Sequence, residues 1–172
     1  YRIKSVIGEG AMGIVYSGFD PHIERVVAIK RIKKENIPDP DLADISLRFR
    51  QEAQAAGKLQ HPNIVTVHEY GEDKGEPYIV MEYVEGVSLK DYMKQKGKLS
   101  VNEAADIMTK LLSALQYSHS RGVIHRDLKP GNIFILENGE VKLSDFGIAK
   151  LESSDLTKPE IGRASCRERV CH

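Results

Sequence analysis

Cysteine is almost missing from this sequence of 172 residues, and the two present, Cys166 and Cys171, both stand close to its end. That excludes a disulfide framework and a thiolate metal site through the body of the chain, and it suits a reducing, cytoplasmic setting. The six histidines are scattered with no H-x₃-H spacing on a helix, which argues against zinc. There is no excess of charge of either sign: 25 Lys and Arg balance 25 Asp and Glu, unlike a nucleic-acid binder or a basic membrane-surface protein. No apolar run is long enough to span a bilayer, and none reads as a signal peptide. An initiating Met is also lacking. The chain opens on Tyr1-Arg2-Ile3 in a strand-like pattern, so its native start is expected upstream. What remains is an ordinary apolar content of 41%, enough for a core, in a length that suits one domain or two small lobes.

The densest chemistry lies in Val123-Ile124-His125-Arg126-Asp127-Leu128-Lys129-Pro130-Gly131-Asn132. A carboxylate, cations and a carboxamide sit in one short loop between apolar segments. Asp127 can take a proton from a hydroxyl nucleophile, Lys129 can neutralise a transferring phosphoryl group, and Asn132 offers a carbonyl oxygen to a hard cation such as Mg²⁺. Upstream, Gly8-Glu9-Gly10-Ala11-Met12-Gly13 lies between β-forming stretches. Its glycines let backbone N–H groups approach phosphate oxygens. An ordinary hairpin would look similar. A dinucleotide fingerprint would need a helix directly after the glycines, whereas Ile14-Val15-Tyr16 reads as a strand.

Val27-Ala28-Ile29-Lys30 follows as an apolar strand closed by a Lys, which by itself could be a solvated edge residue. Lys33 to Asp44, with Pro38 and Pro40, reads as a loop. A helix is predicted from about Ala43, with Ile45, Phe49, Ala53 and Ala56 on its apolar face and Glu52 beside that face. Ile64, Val65, Val67 and Tyr70 read as one strand. Tyr78 to Met81 reads as the next, after a polar turn at Glu72 to Glu76. Ser88 with Asp91, and Ser100 with Glu103, have capping-box spacing for a short and a longer helix. Along the longer one, Ala104, Ile107, Met108, Leu111, Leu112 and Leu115 form an apolar face expected to be core, and Gly122 is placed to end it. Ile133 to Leu143 reads as a hairpin turning at Asn138-Gly139, running into Ser144-Asp145-Phe146-Gly147.

Each motif alone has an ordinary explanation. In this order and spacing, the glycine loop, V-A-I-K, H-R-D-L-K-P-G-N and D-F-G resemble a eukaryotic-type protein kinase, and the wording of several stretches is most similar to bacterial members. The resemblance covers Tyr1 to about Lys158. It implies an α+β, protein-kinase-like fold: a β-rich small lobe over residues 1–83 and the first part of an α-rich large lobe over 84–159. It implies ATP and Mg²⁺ as cofactors. In this reading Gly8, Glu9, Gly10, Ala11, Met12 and Gly13 cover the phosphates, Lys30 contacts them, and Glu52 orients Lys30. Val15 and Ala28 sandwich the adenine, with Phe134 on its other face. Met81 falls at the gatekeeper position, and Glu82 and Val84 contribute hinge backbone groups. Asn132 and Asp145 hold Mg²⁺, and Phe146 couples the Glu52 helix to the metal.

Lys129, two positions after Asp127, is the form associated with serine/threonine kinases. Antibiotic and sugar kinases usually carry Gly where Arg126 stands. Arg126 implies an activation loop gated by phosphate, with Ser153, Ser154 and Thr157 as the candidate hydroxyls. The expected reaction is transfer of the γ-phosphoryl group of Mg-ATP to Ser or Thr hydroxyls of protein substrates. The alternatives are a small-molecule phosphotransferase and a non-catalytic nucleotide-binding scaffold.

The chain departs from this family after D-F-G. No A-P-E-like motif or later large-lobe helix follows. Residues 160–172 instead resemble the in-frame translation of a sequencing-library adapter and are expected to be non-native. The expectation is therefore a truncated, inactive fragment of a kinase, with the face Ala104 to Leu115 open where further helices belong.

Overall fold

The computed structural model describes residues 1–10, 13–32 and 39–146, without the side chains of 39–44 and 52. The fold is α+β. Strands β1 (Arg2–Gly10), β2 (Gly13–Asp20), β3 (Arg25–Ile32), β4 (Val67–Asp73) and β5 (Glu76–Glu82) form one sheet in the order β1-β2-β3-β5-β4, antiparallel throughout. Helix α1 (Asp39–Ala56) enters between β3 and β4. A second, three-stranded sheet joins β6 (Gly86–Ser88), β7 (Ile133–Leu136) and β8 (Val141–Leu143). Helices α2 (Leu89–Lys96) and α3 (Val101–Ser120) lie between β6 and β7 in the chain.

Two cores follow from the apolar spacing. Ile45, Phe49 and Ala53 of α1 are buried against Ala28, Ile32, Val65, Ile79 and Met81, as an i, i+4, i+8 stripe on a helix over a sheet requires. Ala56, one turn on, belongs to the other core with Leu59, Ile64, Ile107, Leu111 and Leu143. The end of α1 is thus wedged between the two.

The helix ends obey local chemistry. Ser88 and Ser100 accept from the backbone N–H groups of Asp91 and Glu103, capping α2 and α3. Gly122, at φ +72°, closes α3: its N–H reaches the His119 carbonyl and that of Val123 reaches Ser118, a Schellman pair. The hairpin β7–β8 turns at Gly139, φ +78°, whose N–H bonds to the Leu136 carbonyl.

Three expectations are corrected. Helix α1 starts at Asp39, ahead of Ala43, and contains Pro40 in its first turn. A proline there loses no helical bond, so it can sit inside a helix start as well as in a loop. Ile64 and Val65 do not belong to β4. They cross to the second sheet, where Ile64 bridges Leu143 in parallel and the Val65 N–H donates to the Leu143 carbonyl at 2.9 Å. Alternating β-branched residues announce a strand but not its partner. Met108 and Leu112 are not core: they are 51% and 58% exposed, while Ile107, Leu111, Ala114 and Ser118 form the buried ridge of α3. The apolar face of α3 is therefore wider than the surface that the described elements cover.

Candidate active site

The ten residues Val123–Asn132 run from the end of α3 to β7, closing with a 3-10 turn at Pro130–Asn132. His125 anchors the loop from within. It is 2% exposed, its Nε2–H donates to the Ser144 carbonyl at 2.7 Å, and its ring lies 4.7 Å from that of Phe146. The Asp127 N–H is shared between the His125 carbonyl at 2.8 Å and His125 Nδ1 at 3.3 Å. One ring nitrogen donates and the other accepts, which defines a neutral tautomer. Buried Asn132 anchors the other end. Its NH₂ donates to the Asp127 carbonyl at 2.9 Å and to Asp127 Oδ2 at 3.0 Å, and its backbone carbonyl accepts from the Ser144 N–H at 2.9 Å. Between the anchors Arg126 is forced to φ +62°, a left-handed conformation that costs about 1–3 kcal/mol in a non-glycine residue.

The loop presents its ionisable groups together. Lys129 Nζ is 2.6 Å from Asp127 Oδ2, so the carboxylate receives a cation and a carboxamide on one oxygen. Asp145 follows β8 at φ +57°. Its Oδ1 meets Lys30 Nζ, reaching across from β3, at 2.7 Å. The sequence pattern pointed to Glu52 as the partner of Lys30. That side chain lies outside the described residues, as do Ala11, Met12, Ser153, Ser154, Thr157 and all of 147–172.

Next to Asp145 is a cleft of about 110 Å³. Val15, Ala28, Met81, Glu82, Val84 and Phe134 all line it, so the structure brings these residues to one cleft. Ile7, Val65 and Ser144 line it too and were not foreseen. Gly8 and Gly10 lie on β1, and Gly10 faces Gly13 in register. A Cβ on Gly13 would fall 2.2 Å from the Arg31 carbonyl oxygen, so only glycine allows β2 to lie this close to β3. Glu9 is on β1 beside these glycines.

The donor set fits a hard cation. Asp145 would offer its carboxylate, now paired with Lys30, and Asn132, with its NH₂ engaged, would offer its amide oxygen. Among the described residues no group of three or more His, Cys, Asp or Glu is placed to enclose a metal. An ion held here would be completed by phosphate and water, which is the manner of Mg²⁺.

Burial lowers the His125 pKa below its ordinary 6.5, opposed by its bond to Ser144. The unfolded chain therefore takes up a proton on this ring before the folded one does. The stability it contributes is complete above about pH 6.5 and is lost as pH falls toward the lowered value. Thermal melts between about pH 7.5 and about pH 5.5 should show a fall in Tm that His125→Phe reduces. His61 and His68, also lowered by burial, act with the same sign, and the difference between wild type and variant isolates His125. Equal pH slopes in the two proteins would show that the ring is not the titrating anchor.

The chain is similar to known proteins over nearly all its length. It is 46% identical to the probable serine/threonine-protein kinase PknB of Lactococcus lactis over 92% of this chain and 25% of that protein. It is 45% identical to the serine/threonine-protein kinase PrkC of Bacillus subtilis, over 90% and 23%. PknA of Mycobacterium tuberculosis shares 44% over 87% and 35%. The chain thus spans about a quarter to a third of these relatives. Among solved structures, the PknI kinase domain of Mycobacterium tuberculosis matches with a TM-score of 0.74 at 34% identity, over 86% of this chain and 58% of that one. Rad53 1–466 in complex with AMP-PNP matches with a TM-score of 0.73 at 33% identity, over 88% and 39%. The family profile described as protein kinase domain matches residues 1–164, and the chain belongs to that family.

Proposed function

We propose that this chain carries the nucleotide site of a protein serine/threonine kinase that moves the γ-phosphoryl group of Mg-ATP to a protein Ser or Thr hydroxyl. The observation that carries the reading is the grouping of Asp127, Lys129 and Asn132 on one anchored loop, with the Lys30–Asp145 pair beside an apolar cleft. The cleft suits a flat heteroaromatic ring, with Val15, Ala28, Met81 and Phe134 lining it. Residues 1–83 form the small lobe and 84–159 open the large one, a division supported by one sheet ending at Glu82 and the other beginning at Gly86.

Asp127 orients the acceptor hydroxyl and receives its proton. Lys129, within reach of the same carboxylate, places positive charge where the phosphoryl group moves. Lys30 exchanges Asp145 for phosphate oxygens. Mg²⁺, held by Asp145 and Asn132, would neutralise phosphate charge. Arg126, strained between its two anchors, is the group through which phosphate on Ser153, Ser154 or Thr157 would report.

The test is transfer from γ-labelled ATP in the full-length protein, with Ser/Thr peptides and small alcohols competing as acceptors. Label on peptide hydroxyls at about 1–100 s⁻¹ is expected. Label on the small alcohols in preference to peptide, or no label at all, overturns the reading.

A further inference from the structure

The side chains of Lys142 and Glu82 are given no role above, yet they form an ion pair between the two sheets. Glu82 is the last residue of β5 and borders the cleft. Lys142 lies in β8, three residues before Asp145. Lys142 Nζ is 2.7 Å from Glu82 Oε1 and 3.0 Å from Oε2, so the ammonium sits in the fork of the carboxylate. The Thr66 N–H adds a third bond, to Oε2 at 3.2 Å, and the Glu82 N–H returns one to the Thr66 carbonyl at 2.8 Å. The side chains are only 17% and 28% exposed. A pair so placed is poorly screened and geometrically defined, unlike a surface ion pair.

The covalent link between the sheets is short and leads directly into Gly86, so the angle between β5 and β8 depends on cross-ties. A second ion pair crosses this seam, Lys30–Asp145, and it must open when Lys30 turns to phosphate and Asp145 to metal. Glu82–Lys142 shares no member with that pair, so the exchange does not require it to open. It joins the residue at the ring end of the cleft to the strand that delivers Asp145 at the phosphate end.

We propose that Lys142 is a positioning residue for the nucleotide. Its grip on Glu82 holds the hinge backbone and Asp145 at the separation that one ATP molecule spans. The inference rests on the kinase reading. Its consequence is a selective one: breaking the pair weakens ATP without weakening the protein acceptor.

The experiment compares wild-type full-length kinase with Lys142→Met, Lys142→Arg, Glu82→Gln and the double variant Lys142→Met/Glu82→Gln, measuring kcat and the KM for ATP and for peptide. Lys142→Met and Glu82→Gln should each raise the ATP KM about tenfold, the size of coupling usual for contacting charged groups. The double variant should be no worse than Lys142→Met, the peptide KM should not move, and Lys142→Arg should stay near wild type. Should Lys142→Met fail to fold, Glu82→Gln, which keeps the size of the side chain while removing its charge and one of the two oxygens that Lys142 grips, answers the same question. An unchanged ATP KM in Glu82→Gln, additive effects in the double variant, or faster turnover when the pair is broken overturns the proposal. Absence of ATP binding by wild type would instead bring down the kinase reading, and this inference with it.

Discussion

Asp145→Asn in the full-length protein is expected to lower phosphoryl transfer by about a thousandfold or more, the scale on which loss of a main charge stabiliser is felt. The substitution separates charge from shape. Asp145 holds φ +57°, a region that Asn also tolerates, so the backbone after β8 can keep its course. What is lost is the negative charge. A hard dication prefers carboxylate oxygen, and Lys30, now 2.7 Å from Asp145 Oδ1, loses its counter-ion. Lys30 remains available to phosphate, so ATP alone should still bind. The measurement is therefore a pair: turnover, and ATP affinity titrated with and without Mg²⁺. Turnover should fall by that factor and the enhancement of affinity by Mg²⁺ should be lost with it. Retained turnover would refute the metal role of Asp145.

The parts of this fold that were legible in the sequence are those set by neighbours along the chain. Ser88 and Ser100 announce helix starts because a cap needs only a backbone N–H three residues on. Ile45, Phe49 and Ala53 announce a buried stripe because helical geometry puts them on one side. The same logic fails where the partner is remote. Glu82 and Lys142 are 60 positions apart, and each alone looks like a solvated charge at a strand position. Val65 reads as another strand residue until β8 supplies its carbonyl partner, and that crossing is what brings it to the cleft. His125 reads as one letter of a motif. Only the Ser144 carbonyl and the Asp127 N–H show that it links the loop to the segment bearing Asp145. Met108 and Leu112 went wrong the other way: an apolar letter reports a preference for burial, not the presence of a surface to be buried against.

Asp127→Asn is expected to cut kcat by about 10²–10⁴, the usual range for removing a positioned acid or base, with the ATP KM little changed. The geometry gives two reasons beyond the lost proton acceptor. Asp127 Oδ2 accepts from both Lys129 Nζ at 2.6 Å and the Asn132 NH₂ at 3.0 Å. An amide can keep both donors on its single oxygen, but without the charge that draws them there, and its NH₂ takes the place of Oδ1. Both contacts then weaken, because neither is charge-assisted from the Asp127 side any longer. As Lys129 loosens, the cation drifts from the acceptor side; as Asn132 loosens, the carboxamide proposed to hold Mg²⁺ loses its orientation. Neither touches the ring cleft, which is why the effect should fall on kcat. The backbone supports the same separation, since the Asp127 N–H stays bound to His125 whatever the side chain is. Steady-state kinetics with ATP and peptide varied independently, read beside a thermal melt within a few degrees of wild type, decides it. A kcat within about tenfold of wild type would mean that Asp127 serves the loop's structure and not the proton. A large rise in the ATP KM would mean that the loop reaches further into nucleotide binding than its contacts indicate.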